Sequence, residues 1–328
     1  MLNNSIRWLA IGILIIGFLG LLIFYISSSV TSNPQGNPIA LDSDIQPGRN
    51  QLTLEHQGLN RTVYIETPKN FEPEKEYPIV FFFHGGGQTG ASISMQELIN
   101  AEEFIGVYPS GIDGYWNTGF AISSGRGSTA DDHAFVEFLF DWLDSRVNMD
   151  DDKIFAAGMS MGAFFLNEQI IHESNRFSAV VLFMGSFINC EESNIEPTRC
   201  KKEYPDGIDP EVSVSVLTVH GMRDDLVPYR GGLVGECSAE RCLVMKSAEE
   251  NIAIWAKQNN CDDSPKTSDD KIKGVTIQEF KNCSNDRQVM LYSVHDAGHG
   301  YLDNFLPPGR HSGGTIDTLW KFFNNNPK

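Results

Sequence analysis

The chain has 328 residues and a formal charge of −18, with 43 acidic against 25 basic side chains. So acidic a balance repels a phosphate backbone, and nucleic acid is excluded as an expected partner. Hydrophobic residues are 41% of the chain, which suffices for a large core, and no internal repeat or long low-complexity tract interrupts it.

Trp8 to Ile26 is an unbroken apolar run preceded by Arg7. Its length is near the ~20 residues that span a bilayer and exceeds the ~7–15 of a signal-peptide core. Residues 1–30 are therefore expected to be an N-terminal membrane anchor, with Arg7 inside and the rest extracytoplasmic. The alternative is a cleaved signal peptide, for which Ser27-Ser28-Ser29 offers small residues, and then the protein is secreted. Residues 31–50 are rich in Ser, Asn, Pro, Gly and Asp and read as a flexible linker. A single folded domain is expected over 51–328.

Leu52-Thr53-Leu54 and Arg61 to Glu66 alternate apolar and polar, which predicts an edge hairpin turning at Gly58-Leu59-Asn60. Ile79-Val80-Phe81-Phe82-Phe83 is apolar throughout, as in a strand buried on both faces. It runs into His84-Gly85-Gly86-Gly87, where backbone N–H groups stand unshielded by side chains. A short strand over 104–108 follows, then a loop carrying Tyr115-Trp116-Asn117. Thr129 with Asp132 reads as a capping box for a helix whose apolar stripe is Ala134, Phe135, Phe138, Leu139, Trp142 and Leu143. Lys153 to Ala157 is the next strand, Ala163 to Ile171 a helix, and Ala179 to Phe183 another strand. Residues 186–211 read as an insertion over the strand ends. Val212 to Val219 is a strand ending in His220-Gly221, and 231–242 a loop. Ser247-Ala248-Glu249-Glu250 caps a helix with Ile252, Ile254 and Trp255 on one side. Val289 to Val294 is the last strand and 315–323 the last helix. Strands alternating with helices predict an α/β fold, with a mostly parallel central sheet and helices on both faces. In such a sheet, reactive groups belong at the C-terminal ends of strands.

Gly158-Met159-Ser160-Met161-Gly162 sits between a buried-strand pattern and a helical one. That context gives Gly-x-Ser-x-Gly its meaning: a strained turn that holds a serine hydroxyl clear of the sheet, beside the N–H of Met161 at a helix N-terminus. A serine needs a base, usually a histidine oriented by a buried carboxylate. Downstream, His220-Gly221-Met222-Arg223-Asp224-Asp225 offers the acid and Asp296-Ala297-Gly298-His299-Gly300 the base. His299 is preferred over His295, which finishes a strand. His84 and His220 are read as strand-end histidines bonded to nearby loops.

Six cysteines, Cys190, Cys200, Cys237, Cys242, Cys261 and Cys283, suit a compartment outside the cytoplasm. None forms a Cys-x-x-Cys pair or a zinc-spaced cluster with histidine, so no metal is expected. Pairing sequence neighbours predicts Cys190–Cys200, which closes one polar excursion, Cys237–Cys242 and Cys261–Cys283, one of 15 possible connectivities.

From about Gln51 to the C-terminus the chain resembles the secreted feruloyl esterase and polyhydroxybutyrate depolymerase group of α/β-hydrolases, of the carbohydrate-esterase type. The resemblance rests on His84-Gly85-Gly86-Gly87-Gln88-Thr89, Trp116-Asn117 and Asp131-Asp132. It continues through Gly158 to Gly162, His220-Gly221 with Val227-Pro228-Tyr229, and Gly298-His299. It implies an α/β-hydrolase catalytic domain over 51–328. Ser160 would be the nucleophile, Asp224 the acid and His299 the base, with Gly86 and Met161 holding the oxyanion. Gly87, Trp116 and Asn117 are expected to line the substrate pocket. The group has a bridge comparable to Cys261–Cys283. The chain departs from the group at Ala163, where a second glycine is usual, at Met222, where threonine is usual, and at Tyr301-Leu302, where Trp-Pro is common. The expected activity is hydrolysis of a carboxylic ester through an acyl-enzyme, without metal or organic cofactor. The acyl group is left open between feruloyl, acetyl and hydroxyalkanoate, and the substrate between a plant cell-wall polysaccharide and a polyester. The alternatives are a hydrolase-fold binding module without catalysis and a serine peptidase.

Overall fold

The structure, a computed structural model, describes residues 45–118, 127–172, 176–187, 211–234, 244–270, 274–299 and 315–328. The apolar run at Trp8–Ile26 and the cysteines Cys190, Cys200, Cys237 and Cys242 lie outside these residues, as do Tyr301 and Leu302. Among the described residues no helix is long and apolar enough to cross a membrane.

The elements in chain order are β1 (Gly48–His56), β2 (Leu59–Thr67), β3 (Glu76–Phe83), α1 (Gln96–Glu102), β4 (Ile105–Pro109), α2 (Asp132–Asp144), β5 (Asn148–Met159), α3 (Met161–His172), β6 (Ala179–Phe183), β7 (Ser215–Gly221), β8 (Gly232–Leu233), β9 (Val244–Met245), α4 (Ala248–Gln258), β10 (Lys266–Asp270), β11 (Val275–Phe280), β12 (Val289–Val294) and α5 (Thr315–Asn324). Ten strands form one sheet in the order β1-β2-β4-β3-β5-β6-β7-β12-β11-β10. The six from β4 to β12 in that order pair in parallel. The margins β1-β2 and β11-β10 are antiparallel to their neighbours. Every residue of β4, β6 and β7 is buried, which is why these strands read as continuous apolar runs rather than alternating ones.

The pleat of β3 divides its side chains between two helical layers. Val80 and Phe82 join a core with Ile99 of α1 and Leu319, Phe322 and Phe323 of α5. Phe81 and Phe83 point the other way, to Phe140 of α2 at 4.8 Å between ring centroids and Phe165 of α3 at 5.2 Å. The sheet is thus covered on both sides, as the alternation of strands and helices predicts.

Four local expectations are corrected. The β1-β2 turn is Gln57-Gly58, with His56 paired to Leu59, so Leu59 and Asn60 already belong to the strand. Strand β1 starts at Gly48, inside the stretch read as linker, because Arg49 bonds Glu66 at 2.6 Å and the carbonyl of Ile93 at 2.8 Å. The cap of α2 is Asp131, whose side chain accepts from the Ala134 N–H at 3.0 Å. Asp132 is diverted from capping into a buried ion pair with Arg61 at 2.5 Å, and it also accepts the Asn117 N–H at 2.6 Å. Burial pushes the Asp132 pKa up, and the Arg61 charge and Asn117 N–H only partly oppose it. Gly232–Leu233, inside the stretch 231–242 read as loop, is strand β8, paired with Val244–Met245 of β9. Strands β9, β10 and β11 and helix α1 have no counterpart among the expected elements, and Lys266-Thr267-Ser268-Asp269-Asp270 carries no apolar signal, since an edge strand needs only its neighbour's backbone.

The structure joins Cys261 to Cys283 across 22 residues of sequence, tying the end of α4 to the loop after β11. The other two expected bridges lie outside the described residues. Closing a loop of that length removes about 3 kcal/mol of unfolded-state entropy. A Cys261→Ser/Cys283→Ser variant is expected to lose stability of that order in a denaturant titration, and reductant should have no further effect on this region.

Candidate active site

Ser160 lies between β5 and α3 with φ of 53°, a left-handed conformation costly for a non-glycine residue. The turn is held by the Ser160 N–H donating to the carbonyl of Phe183 at 2.8 Å, and by the Ser160 carbonyl accepting from Ala163 and Phe164 at 2.9 and 3.1 Å. Such tightness demands glycine nearby. A methyl group on Gly162 would meet the carbonyl oxygen of Phe83 at 2.1 Å, a distance no real side chain tolerates. The strain holds the hydroxyl above the sheet, where Ser160 is half-buried.

The His299 loop comes to Ser160 because the end of β7 is stitched to it. Met222 N–H donates to the carbonyl of Val294, and Arg223 N–H to that of Ala297, both at 2.8 Å. Gly221 permits the approach, since a methyl there would meet the carbonyl oxygen of Ala297 at 2.4 Å. The result is a continuous chain of hydrogen bonds. Ser160 Oγ lies 3.0 Å from His299 Nε2, and His299 Nδ1 lies 2.8 Å from Asp224 Oδ2. A carboxylate only accepts, so Nδ1 carries the ring's hydrogen and Nε2 is the free base facing the serine.

The Asp224 side chain is fully buried, while Asp225, one residue on, is exposed. Asp224 Oδ1 accepts the N–H groups of Leu226 at 3.0 Å and Val227 at 2.8 Å. Burial alone would raise its pKa, but hydrogen bonds from His220, His299 and Val227 outweigh burial and hold it well below the ordinary carboxylate value. His295 is exposed, and its Nε2 lies 2.8 Å from Thr276 Oγ1, so the structure leaves it out of the cluster.

Gly86 is exposed after β3 and sits against Met161: a methyl on it would lie 3.5 Å from Met161 Cε and 3.6 Å from Tyr115 Cε1. Met161 opens α3, so its N–H has no intrahelical acceptor. The glycine loop is braced from beneath. His84 Nε2 accepts the Gly111 N–H at 3.0 Å, which leaves Nδ1 to donate to the Gly85 carbonyl at 2.8 Å. Burial drives this imidazole's pKa down to about 4, against the opposing effect of the Gly85 bond. Gln88 Oε1 accepts the Gly85 N–H at 3.1 Å. Gly87 does not offer its N–H outward, because it donates to the Gly114 carbonyl at 2.9 Å.

Trp116 is a correction. Trp116 is fully buried, its Nε1–H donates to the His84 carbonyl at 2.9 Å, and its ring stacks on Phe165 at 4.9 Å. Asn117 donates its N–H to Asp132 and its side-chain amide to the Ala130 carbonyl at 2.8 Å. Trp116 braces the glycine loop from within, because an indole this large gains more from the core than from solvent; Asn117, half-buried, is tied to the start of α2. The half-buried aromatic beside Gly86 is Tyr115, which sequence reading passed over; its signal was adjacency to the same loop. Trp116→Ala is expected to cost about 3–5 kcal/mol of stability. It should leave the ratio of rates on aryl and acetyl esters unchanged, as chemical denaturation and paired assays would measure.

Sheet order, elbow and strand-end loops define an α/β-hydrolase fold. The sequence pattern of the family described as Putative esterase matches residues 55–262, and the chain belongs to that family. It is a carboxylic-ester hydrolase. It is 25% identical over 271 residues to a probable feruloyl esterase C of Aspergillus clavatus, covering 81% of this chain and 84% of that protein. It is 24% identical over 253 residues to feruloyl esterase B of Piromyces equi, covering 74% of this chain but only 43% of that longer protein. The solved acetyl xylan esterase from Aspergillus awamori superposes with a TM-score of 0.56 at 19% identity, covering 84% of this chain and 99% of that one.

Proposed function

We propose that the protein is an extracytoplasmic serine esterase that removes feruloyl or acetyl groups from plant cell-wall polysaccharide through a Ser160–His299–Asp224 triad. The observation that carries the reading is the unbroken chain from Ser160 Oγ to His299 at 3.0 Å and on to Asp224 at 2.8 Å. His299 Nε2 takes the hydroxyl proton as Oγ attacks the ester carbonyl. The charge that develops on the carbonyl oxygen falls to the N–H groups of Gly86 and Met161. The imidazolium, stabilised by buried Asp224, then protonates the departing alcohol and leaves an acyl-enzyme on Ser160. Water enters along the alcohol's path and attacks the acyl carbon as His299 takes its proton; His299 then returns that proton to Ser160 Oγ as its bond to the acyl carbon breaks, and the acid is released. Every proton in the cycle passes through Nε2, and none of these steps draws on a metal.

Relatives named as feruloyl esterases and a structural neighbour named as an acetyl xylan esterase support the substrate class. The apolar run at Trp8–Ile26 supports export. The test is a panel on the purified protein: methyl ferulate, acetylated xylan, a short polyhydroxyalkanoate and an acyl-peptide. Hydrolysis of the first or second at the highest kcat/KM is the expected result. Preference for the polyester or the peptide overturns the substrate reading, and no hydrolysis of any ester overturns the activity.

A further inference from the structure

Two histidines, not one, face the acid. We infer that His220 is a positioning residue that holds the Asp224 carboxylate in line with His299 and tempers its charge, an inference that rests on the triad reading above. His220 is buried to 1% exposure at the end of β7. Its Nε2 lies 2.8 Å from the Val227 carbonyl oxygen and 3.4 Å from Asp224 Oδ2, the oxygen that meets His299. A carbonyl only accepts, so the hydrogen is on Nε2; it bonds the Val227 carbonyl oxygen, with Asp224 Oδ2 as the longer second contact. Nδ1 is buried and has no partner among the described residues. A proton there would be a buried donor without an acceptor, so the ring has one hydrogen to give and aims it at the acid turn.

The carboxylate is thereby held from two sides. Leu226 and Val227 N–H groups fix Oδ1, while His299 and His220 share Oδ2. Without His220, the only donor to Oδ2 among the described residues would be the catalytic imidazole itself. The carboxylate could then swing on its remaining contacts and would carry more negative charge toward His299. His220 is itself fixed by the edge of Tyr229, whose ring meets it at 5.6 Å and 87°. The Tyr229 hydroxyl is tied to Ser293 at 2.7 Å and Glu249 at 3.3 Å. The ionisable groups around the ring are thus Asp224 on its own turn, His299 from the loop after β12, Tyr229 from the loop after that turn, and Glu249 of α4 behind the tyrosine. Arg223 and Asp225 point to solvent, and Arg223 is paired with Asp296 at 2.7 Å.

An ordinary core histidine would alter stability alone. A positioning residue alters the proton affinity of the catalytic base, and the sign is defined. With His220→Leu, Asp224 loses a donor, holds the proton on His299 more tightly, and the acidic limb of kcat/KM moves to higher pH by roughly half a unit to one unit. kcat per titrated active site falls on the order of tenfold. His220→Gln keeps an N–H near the position of Nε2 and should restore both the limb and most of kcat. If the leucine variant does not accumulate, His220→Asn, whose amide is too short to reach Asp224, replaces it with the same expectation. A limb that stays at the wild-type pH or moves lower in the leucine or asparagine variant, or a glutamine variant no better than leucine, overturns the inference. Failure of the triad reading is separate: it shows as retained activity without Ser160, whatever His220 does.

Discussion

Ser160→Ala is expected to lower ester hydrolysis by roughly 10⁵ to 10⁶ in kcat while leaving the fold intact. The hydroxyl is the only atom removed. The backbone of the elbow is held by main-chain bonds from Phe183, Ala163 and Phe164, and alanine meets the positive φ of 53° no worse than serine does. What survives is transition-state stabilisation by the loop N–H groups, which supplies some 10³–10⁴ over water in triads stripped of a member. Rates on a chromogenic ester, with melting temperature as the control for folding, give the measurement. A folded variant that keeps a few per cent of wild-type activity would show that the nucleophile lies elsewhere.

Asp224→Asn is expected to cost roughly 10⁴ in kcat, and Asp225→Asn no more than a few-fold. An amide can turn its NH₂ toward His299 Nδ1, which drives the ring hydrogen to Nε2 and leaves Ser160 without a base. The aspartate's own pKa adds a stability effect that must be separated. Its folded value is depressed, so its contribution is present above the unfolded value of about 3.9 and is lost as pH falls toward the folded one. At neutral pH the asparagine variant lacks that contribution, so rates must be expressed per folded molecule. Asp225 is exposed. Equal losses at the two positions would mean that the acid lies elsewhere, and a larger loss at Asp225 would shift the register by one.

How far the residues alone carry the reading depends on whether each signal is local. The central strands were legible because burial on both faces leaves unbroken apolar runs, as at 79–83 and 179–183. The elbow was legible because its three parts, strand, serine turn and helix, are consecutive in sequence. The Ser247–Glu250 cap was legible for the same reason, and both of its bonds are formed. Asp132 was misread as a cap partner because what claims it, Arg61, lies 71 residues away. Strand β10 left no mark because a polar edge strand is specified by its neighbour's free backbone rather than by its own side chains.

The same division holds at the site. Sequence by itself determined the α/β class, the serine's place on a strand-to-helix turn, and a short list of acids and bases. The resemblance singled out Asp224 and His299 from that list, and the tertiary structure shows what separates them physically from their rivals. Asp224 and Asp225 are chemically identical, and what separates them is the direction of one turn, set by Leu226 and Val227 N–H groups that close on Asp224 Oδ1. Trp116 and Tyr115 are both aromatic on one loop, yet the indole is buried against Phe83 and Phe165 while the tyrosine stays half-buried beside Gly86. Position along the chain determines what a residue can do. Which neighbour it meets depends on contacts across 75 or 139 residues, as from His299 to Asp224 and to Ser160, and no local pattern encodes contacts at that range.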